Sequence, residues 1–465
     1  MPRVWAMSLG LGGFLLAIAL ALPQSGRARE ALPVNEPAQA RVSFQEFTLP
    51  NGLRVILAED HAAPTYSLCV SYNVGSRDER PGRTGFAHLF EHMMFQGSEN
   101  VGKGEHFILV LNNGGSANGT TNADRTNYFE TLPANQLELG IFLEADRMRA
   151  LNVTQANFDN QRQTVQEERR LNYDNRPYGR TREAVLDTAY DNFAYKHSTI
   201  GSMADLNAAT VDDARAFFRT YYAPNNAVLS LVGDFQSEGA LALINKYFAA
   251  IPSQPPPPAP DMTEPEQASE RRKTIEDAFA QAPHIDIVYK TVPGNTPDFY
   301  ALNVMGHILA GDLSSRLYRK LVKELEIAVS VSARPDERRN TSLFWISVVV
   351  RPDRPLAEVE KLIYAEIERL KEEPVEDWEL EKVHMKLRRQ HMHDLYSTRF
   401  RANTLAHYAV YYGEPDLINT GLDKMARVTK GDLQRVVNSY LRVTNRTVVT
   451  TLPQPKAAPS PRSGQ

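Results

Sequence analysis

The 465-residue sequence predicts an α+β protein built as two homologous halves, each an antiparallel or mixed sheet packed with helices. Short apolar strand segments are followed by helical ones without a regular βαβ alternation. Four consecutive prolines, Pro255, Pro256, Pro257 and Pro258, form a semi-rigid spacer that neither a helix nor a central strand can cross. Four residues also recur at one offset: Thr210, Asp213, Tyr221 and Asn226 return 219 positions later as Thr429, Asp432, Tyr440 and Asn445.

The elements follow in order. Residues 52–58 and 65–74 read as strands, 86–95 as a helix and 128–132 as a strand, with helices near 136–150 and 154–173. Thr210 is placed to cap a helix that opens Val211-Asp212-Asp213-Ala214 and runs to Tyr221. A turn containing Asn226 then leads into an apolar strand at 227–232. The second half repeats this ending, with Thr429 as cap, a helix to Tyr440 and a strand at 447–452. Ahead of it, 285–290 and 343–351 read as strands, and 299–310 and 356–371 as helices. The expected division is a first domain at 41–251, a Pro-rich linker at 252–269, a second domain at 270–455 and a disordered tail at 456–465.

Composition narrows the function. Lys plus Arg number 52 and Asp plus Glu 56, a formal charge of −4, so nothing favours a nucleic-acid partner or an anionic membrane surface. The single cysteine, Cys69, lies in an apolar run and reads as a buried structural thiol. Arg3, the apolar residues 4–22 and the small residues around Ala19 and Ala21 make 1–28 a secretory signal peptide of an exported, periplasmic protein. The competing reading is an uncleaved anchor in the inner membrane, because the apolar run nearly reaches spanning length.

The chemistry is concentrated in Gly85-Phe86-Ala87-His88-Leu89-Phe90-Glu91-His92-Met93-Met94-Phe95. On a helix, His88, Glu91 and His92 share one face while Leu89 and Phe90 turn to the core. Two imidazoles one turn apart can hold a zinc ion, and the carboxylate beside them can take a proton from water. A third ligand is needed, and Glu167 and Glu168 are the candidates. Their helix is so polar that the residues alone favour a solvated face for Glu168.

The sequence resembles the pitrilysin family of inverted H-x-x-E-H zinc peptidases, particularly its mitochondrial processing peptidase-like bacterial branch. The resemblance covers nearly the whole chain after residue 40. It rests on Asn51-Gly52-Leu53-Arg54-Val55, the H-x-x-E-H helix, Asn118-Gly119-Thr120-Thr121-Asn122-Ala123, Thr126-Asn127-Tyr128, Glu144-Ala145-Asp146-Arg147-Met148 and Tyr222-Ala223-Pro224-Asn225-Asn226. It implies one Zn²⁺ per chain, held by His88, His92 and Glu168, with Glu91 as the general base of peptide hydrolysis. In the family the third ligand falls 76 or 77 residues after the second histidine, and 76 reaches Glu168. The resemblance further implies a clamshell arrangement and a peptide substrate added as a strand along Ser116, Ala117, Asn118, Gly119 and Thr120. A flexible turn explains Gly114, Gly115 and Gly119 equally well.

Two departures stand out. Where many relatives carry a glutamate seven residues before the third ligand, this chain has Gln161, which can still hydrogen-bond near the metal. Where active single-chain relatives carry an arginine and a tyrosine seven apart, this chain has Val322 and Val329, which donate no hydrogen bond. A homologous partner subunit carrying the Arg/Tyr pair is therefore expected, with this chain as the zinc subunit of a heterodimer. Arg316 and Tyr318 have the wrong spacing to replace the pair. His384, His391 and His393 read as surface residues of a basic helix. The competing function is a non-catalytic structural or assembly subunit, a class that typically loses the zinc residues.

Overall fold

In the computed structural model, which describes residues 41–454, the chain adopts the expected α+β architecture. The first half runs β1 (Gln45–Thr48), β2 (Arg54–Glu59), β3 (Thr65–Tyr72), α1 (Phe86–Met93), α2 (Glu105–Asn112), β4 (Ser116–Thr121) and β5 (Thr126–Pro133). It continues through α3 (Leu137–Ala150), α4 (Gln155–Arg169), α5 (Thr181–Ala189), α6 (Phe193–Lys196), α7 (Met203–Ala208), α8 (Val211–Tyr221), β6 (Ala227–Gly233) and α9 (Ser237–Phe248). The second half begins with β7 (Arg271–Asp277), β8 (His284–Thr291), α10 (Pro297–Ala310), β9 (Ala328–Asp336), β10 (Ser342–Val350) and α11 (Leu356–Glu372). It ends with α12 (Asp377–Asp394), α13 (Thr398–Tyr412), α14 (Leu417–Ala426), α15 (Lys430–Tyr440) and β11 (Arg446–Pro453).

The first sheet is ordered β1-β2-β6-β3-β5-β4, with β2 and β6 parallel and the other neighbours antiparallel. The second is ordered β7-β11-β8-β10-β9, with β7 and β11 as its one parallel pair. Strand for strand, it repeats β2-β6-β3-β5-β4. The recurring residues make the same bonds in both copies. Thr210 accepts the Asp213 amide at 3.1 Å and Thr429 the Asp432 amide at 3.2 Å, each closing a capping box. Asn226 and Asn445 each donate from Nδ2 at 2.8 Å to the carbonyl of the preceding tyrosine, Tyr221 or Tyr440.

Side-chain alternation explains why β2, β3 and β6 read as almost unbroken apolar runs: both faces of their sheet are covered. Val55, Leu57, Leu68, Val70, Leu229 and Leu231 point into the core of the first half. Ile56, Ala58, Cys69, Val228 and Val232 point the other way, against Leu405, Ala406 and Ala409 of α13, a helix from the second half. Leu405 is fully buried there, worth roughly 1.5–3 kcal/mol. The exchange is mutual, since Val185, Leu186 and Ala189 of α5 cover Val288, Leu343, Trp345 and Val449 of the second sheet. Both halves accordingly belong to one compact unit.

Some boundaries differ from expectation for local reasons. Gly52 is not in a strand: its φ of +88° is left-handed, and a Cβ would lie 2.7 Å from that of Asn225, so β2 starts at Arg54. The helix expected at 154–173 is regular only to Arg169, then widens into a π turn at Arg170–Asp174. The expected signal peptide at 1–28 and tail at 456–465 lie outside the described residues. Among the described residues no helix is long and apolar enough to cross a membrane.

Candidate metal centre

Helix α1 is short and two-faced. Phe86, Ala87, Leu89, Phe90 and Met93 are buried in the first core, whereas His88, Glu91 and His92 are partly exposed on the opposite side. No side chain within the helix caps its start, where Gly85 is left-handed at φ +90°. Glu79 takes that role from outside, accepting the amides of Gly85 at 2.9 Å and Ala87 at 2.8 Å. Asp205 anchors the preceding residue by accepting the Thr84 amide at 3.1 Å.

Helix α4 brings Glu168 to this face. Its Oε2 lies 3.3 Å from His92 Nε2 and 3.7 Å from His88 Nε2, and the three ligand atoms all fall within 4.8 Å of one another. Tetrahedral zinc with bonds of about 2.0–2.2 Å places its ligand atoms about 3.3–3.6 Å apart, so the donor set fits that ion. Burial, reinforced by His92, holds His88 down to about 4, which keeps it in the neutral form a metal needs. The hydrogen bond from His92 lowers the Glu168 carboxyl against the effect of burial, with the charges of both histidines adding to it.

Glu91 stands beside this set. Thr121 Oγ1 of β4 donates to its Oε2 at 2.6 Å. Burial raises the Glu91 carboxyl above its ordinary value, opposed by the Thr121 bond and by His92. Strand β4 is the outer strand of the sheet, pairing only with β5. Ser116, Asn118 and Thr120 are exposed, Ala117 is half-buried and Gly119 is buried against Glu91. A Cβ at position 119 would sit 2.9 Å from Glu91 Cγ, so close approach rather than turn flexibility explains this glycine. Gln161 is buried and donates to Asn160 Oδ1 at 2.8 Å; against the lowering by burial, His92 is raised chiefly by Glu168, with Gln161 the smallest contributor.

The remaining candidates lie elsewhere. Val322 packs against the second core, and Val329 is 57% exposed on the edge strand β9. Arg316 is committed to Glu379 (Nε to Oε1, 2.7 Å) and to Glu366 (Nη1 to Oε1, 3.0 Å). Of the α12 histidines, His393 is exposed and the other two are half-buried.

The sequence reading missed a second buried cluster behind α1. His106 Nε2 lies 3.3 Å from Glu130 Oε2, and Arg147 Nε donates to Glu144 Oε2 at 3.0 Å. Arg147 stacks over Tyr128 at 4.5 Å, and the Tyr128 hydroxyl donates to the Phe90 carbonyl of α1 at 3.3 Å. The ligand atoms of His106, Glu130 and Glu144 lie within 4.8 Å of one another, close enough for a metal set. Two carboxylates against one guanidinium leave a single negative charge. Burial pushes Glu130 up to about 8, so its own proton neutralises that charge. The cluster reads as polar support beneath α1.

Comparison with known proteins places this geometry in context. Residues 54–203 match the family model described as Insulinase (Peptidase family M16), and residues 208–387 match that described as Peptidase M16 inactive domain. The zinc protease PqqE of Helicobacter pylori is 30% identical over 451 residues, covering 96% of this chain and 98% of that protein. The crystal structure of a protease from Helicobacter pylori superposes with a TM-score of 0.85 at 29% identity, covering 89% of this chain and all of that one. A probable mitochondrial-processing peptidase subunit beta of Arabidopsis thaliana is 24% identical over 326 residues, 66% of this chain and 59% of that protein.

Proposed function

The chain belongs to peptidase family M16, the insulinase family, and from that premise we propose that it is a zinc metalloendopeptidase acting on peptides or unfolded segments. The observation that carries the reading is the convergence of His88, His92 and Glu168 on one point with Glu91 beside them. All four lie within residues 54–203, the part matching the Insulinase model, and not within the part matching the inactive domain. Their presence together favours the peptidase over a non-catalytic structural or assembly subunit.

His88 and His92 would hold the ion through Nε2 and Glu168 through Oε2, with Gln161 steadying His92. Zinc bound there would polarise the scissile carbonyl and acidify water. Glu91 takes the proton of the attacking water and returns it to the leaving amine nitrogen. The peptide lies as an added strand on the free edge of β4, along Ser116, Ala117, Asn118, Gly119 and Thr120. Stabilising the developing oxyanion needs donors that Val322 and Val329 lack, and Arg316 is already paired. The same proposal assigns that task to an Arg/Tyr pair on a homologous second subunit, a role consistent with the relative named as a subunit. Export to the periplasm belongs to it too, supported by the apolar residues 4–22.

Metal analysis of the purified chain tests the ligand set. One zinc per chain is expected in the unmodified protein and in Glu91→Gln, and its loss in His92→Ala and Glu168→Gln. Full zinc in both ligand variants would refute the assignment.

A further inference from the structure

Strand β4 holds the candidate base as well as offering an edge. Residues two apart on a strand face the same way, so Gly119 and Thr121 both turn toward α1. Gly119 makes room for the Glu91 side chain, whose Cγ would come within 2.9 Å of any Cβ there. Thr121 then fixes its far end, with Oγ1 2.6 Å from Glu91 Oε2. A threonine hydroxyl has one proton to donate, and a carboxylate acceptor makes that bond one of the stronger kind. The strand is itself braced at this point, because Arg125 Nη1 donates to the Thr120 carbonyl at 2.8 Å and to Asn127 Oδ1 at 2.7 Å.

We propose that Thr121 is a positioning residue for peptide hydrolysis: its hydroxyl occupies Glu91 Oε2 and leaves Oε1 as the oxygen that receives the proton of water. This rests on the reading of Glu91 as general base. The alternative role for Thr121 is shape alone, a β-branched side chain filling the end of an edge strand. The two separate cleanly, because valine keeps the shape and removes the hydroxyl, while serine keeps the hydroxyl and removes a methyl.

The test compares Thr121→Val and Thr121→Ser with the unmodified chain, each zinc-loaded and assayed under the same partner condition. Misorienting a base is expected to act on the chemical step, so Thr121→Val should lose about ten- to a hundredfold in kcat with KM little changed. Zinc content should stay as in the unmodified chain, the thermal midpoint should fall by at most a few degrees, and Thr121→Ser should recover most of the rate. Unmodified kcat in Thr121→Val would overturn the proposal, as would equal losses in the valine and serine variants. Failure of the underlying reading looks different: Glu91→Gln itself would then cleave at the unmodified rate.

Discussion

Replacing Glu79 should weaken the zinc helix from a distance. Its carboxylate is buried and supplies the acceptors for two α1 amides, Gly85 at 2.9 Å and Ala87 at 2.8 Å, one residue before His88. Burial pushes the carboxyl well above its ordinary value, and the two amide bonds pull it back. In Glu79→Ala both amides lose their partner in a buried setting, at about 1–3 kcal/mol each, or about 2–6 kcal/mol together. Relief of carboxylate burial offsets part of this, which favours the lower end. At about 2.1 cal/mol/K per residue, a single compact unit of this size shifts by roughly 1 °C per kcal/mol, so the midpoint should fall by roughly 2–3 °C. Glu79→Gln keeps one acceptor oxygen and mimics the neutral form that burial favours, so it should lose about half as much. Because His88 follows directly, the alanine variant should also bind zinc about 10–100-fold more weakly, as when a ligand's supporting partner is removed. Differential scanning fluorimetry and chelator competition read the two effects. An unchanged midpoint together with unchanged zinc affinity would refute the capping argument.

Two further outcomes follow from the same geometry. Gly119→Ala should displace Glu91 and reduce peptide cleavage while leaving zinc content intact, since the clash is with Glu91 Cγ and not with a ligand. Metal analysis beside a cleavage assay checks it, and unimpaired cleavage would contradict it. The buried cluster should give stability a pH slope. Glu130 is raised to about 8, so the native state keeps a proton that the unfolded chain has released, and stability falls as pH rises toward 8. Burial and Arg147 hold His106 down to about 3, so its contribution runs the other way and is complete above its ordinary value of 6.5. Between pH 6.5 and 8 Glu130 contributes to this slope beside the buried Glu79, whose carboxyl is also pushed well above its ordinary value, so Glu130→Gln should make it shallower in urea titrations. Identical slopes in the two proteins would count against the neutral-acid reading.

The parts of the fold and site that were legible in the sequence are those carried by a period or a fixed spacing. The face shared by His88, Glu91 and His92 follows from helical geometry, and the two capping boxes from an N-cap threonine with aspartate three residues on. Glu168 was reachable only through its 76-residue spacing in the family, because α4 shows only Phe158 and Val165 as an apolar face and nothing local separates Glu168 from Glu167. Glu79, Thr121 and the Glu130–His106–Arg147 cluster were not legible. Thr121 and the cluster act through contacts made only once α1, β4, α2, β5 and α3 have packed, and Glu79 reaches the start of α1 across a turn, so no local period records these meetings. The edge strands β1, β7 and β9 also went unread. β7 alternates half-buried and exposed residues, of which Ile275 alone is apolar, and offers no apolar run. Nor could the apolar runs of β2 and β6 reveal that the helix covering their second face, α13, comes from the other half of the chain.

The proposed mechanism has this chain cut peptides with Glu91 as base beside a zinc held by His88, His92 and Glu168. It is tested by cleavage of a quenched fluorogenic peptide by the zinc-loaded chain, with and without a homologous subunit carrying the Arg/Tyr pair, against Glu91→Gln carrying the same zinc. Cleavage should depend on the partner subunit and disappear in the variant. Zinc-loaded protein that cleaves in neither setting, or a Glu91→Gln variant as fast as the unmodified chain, would contradict it.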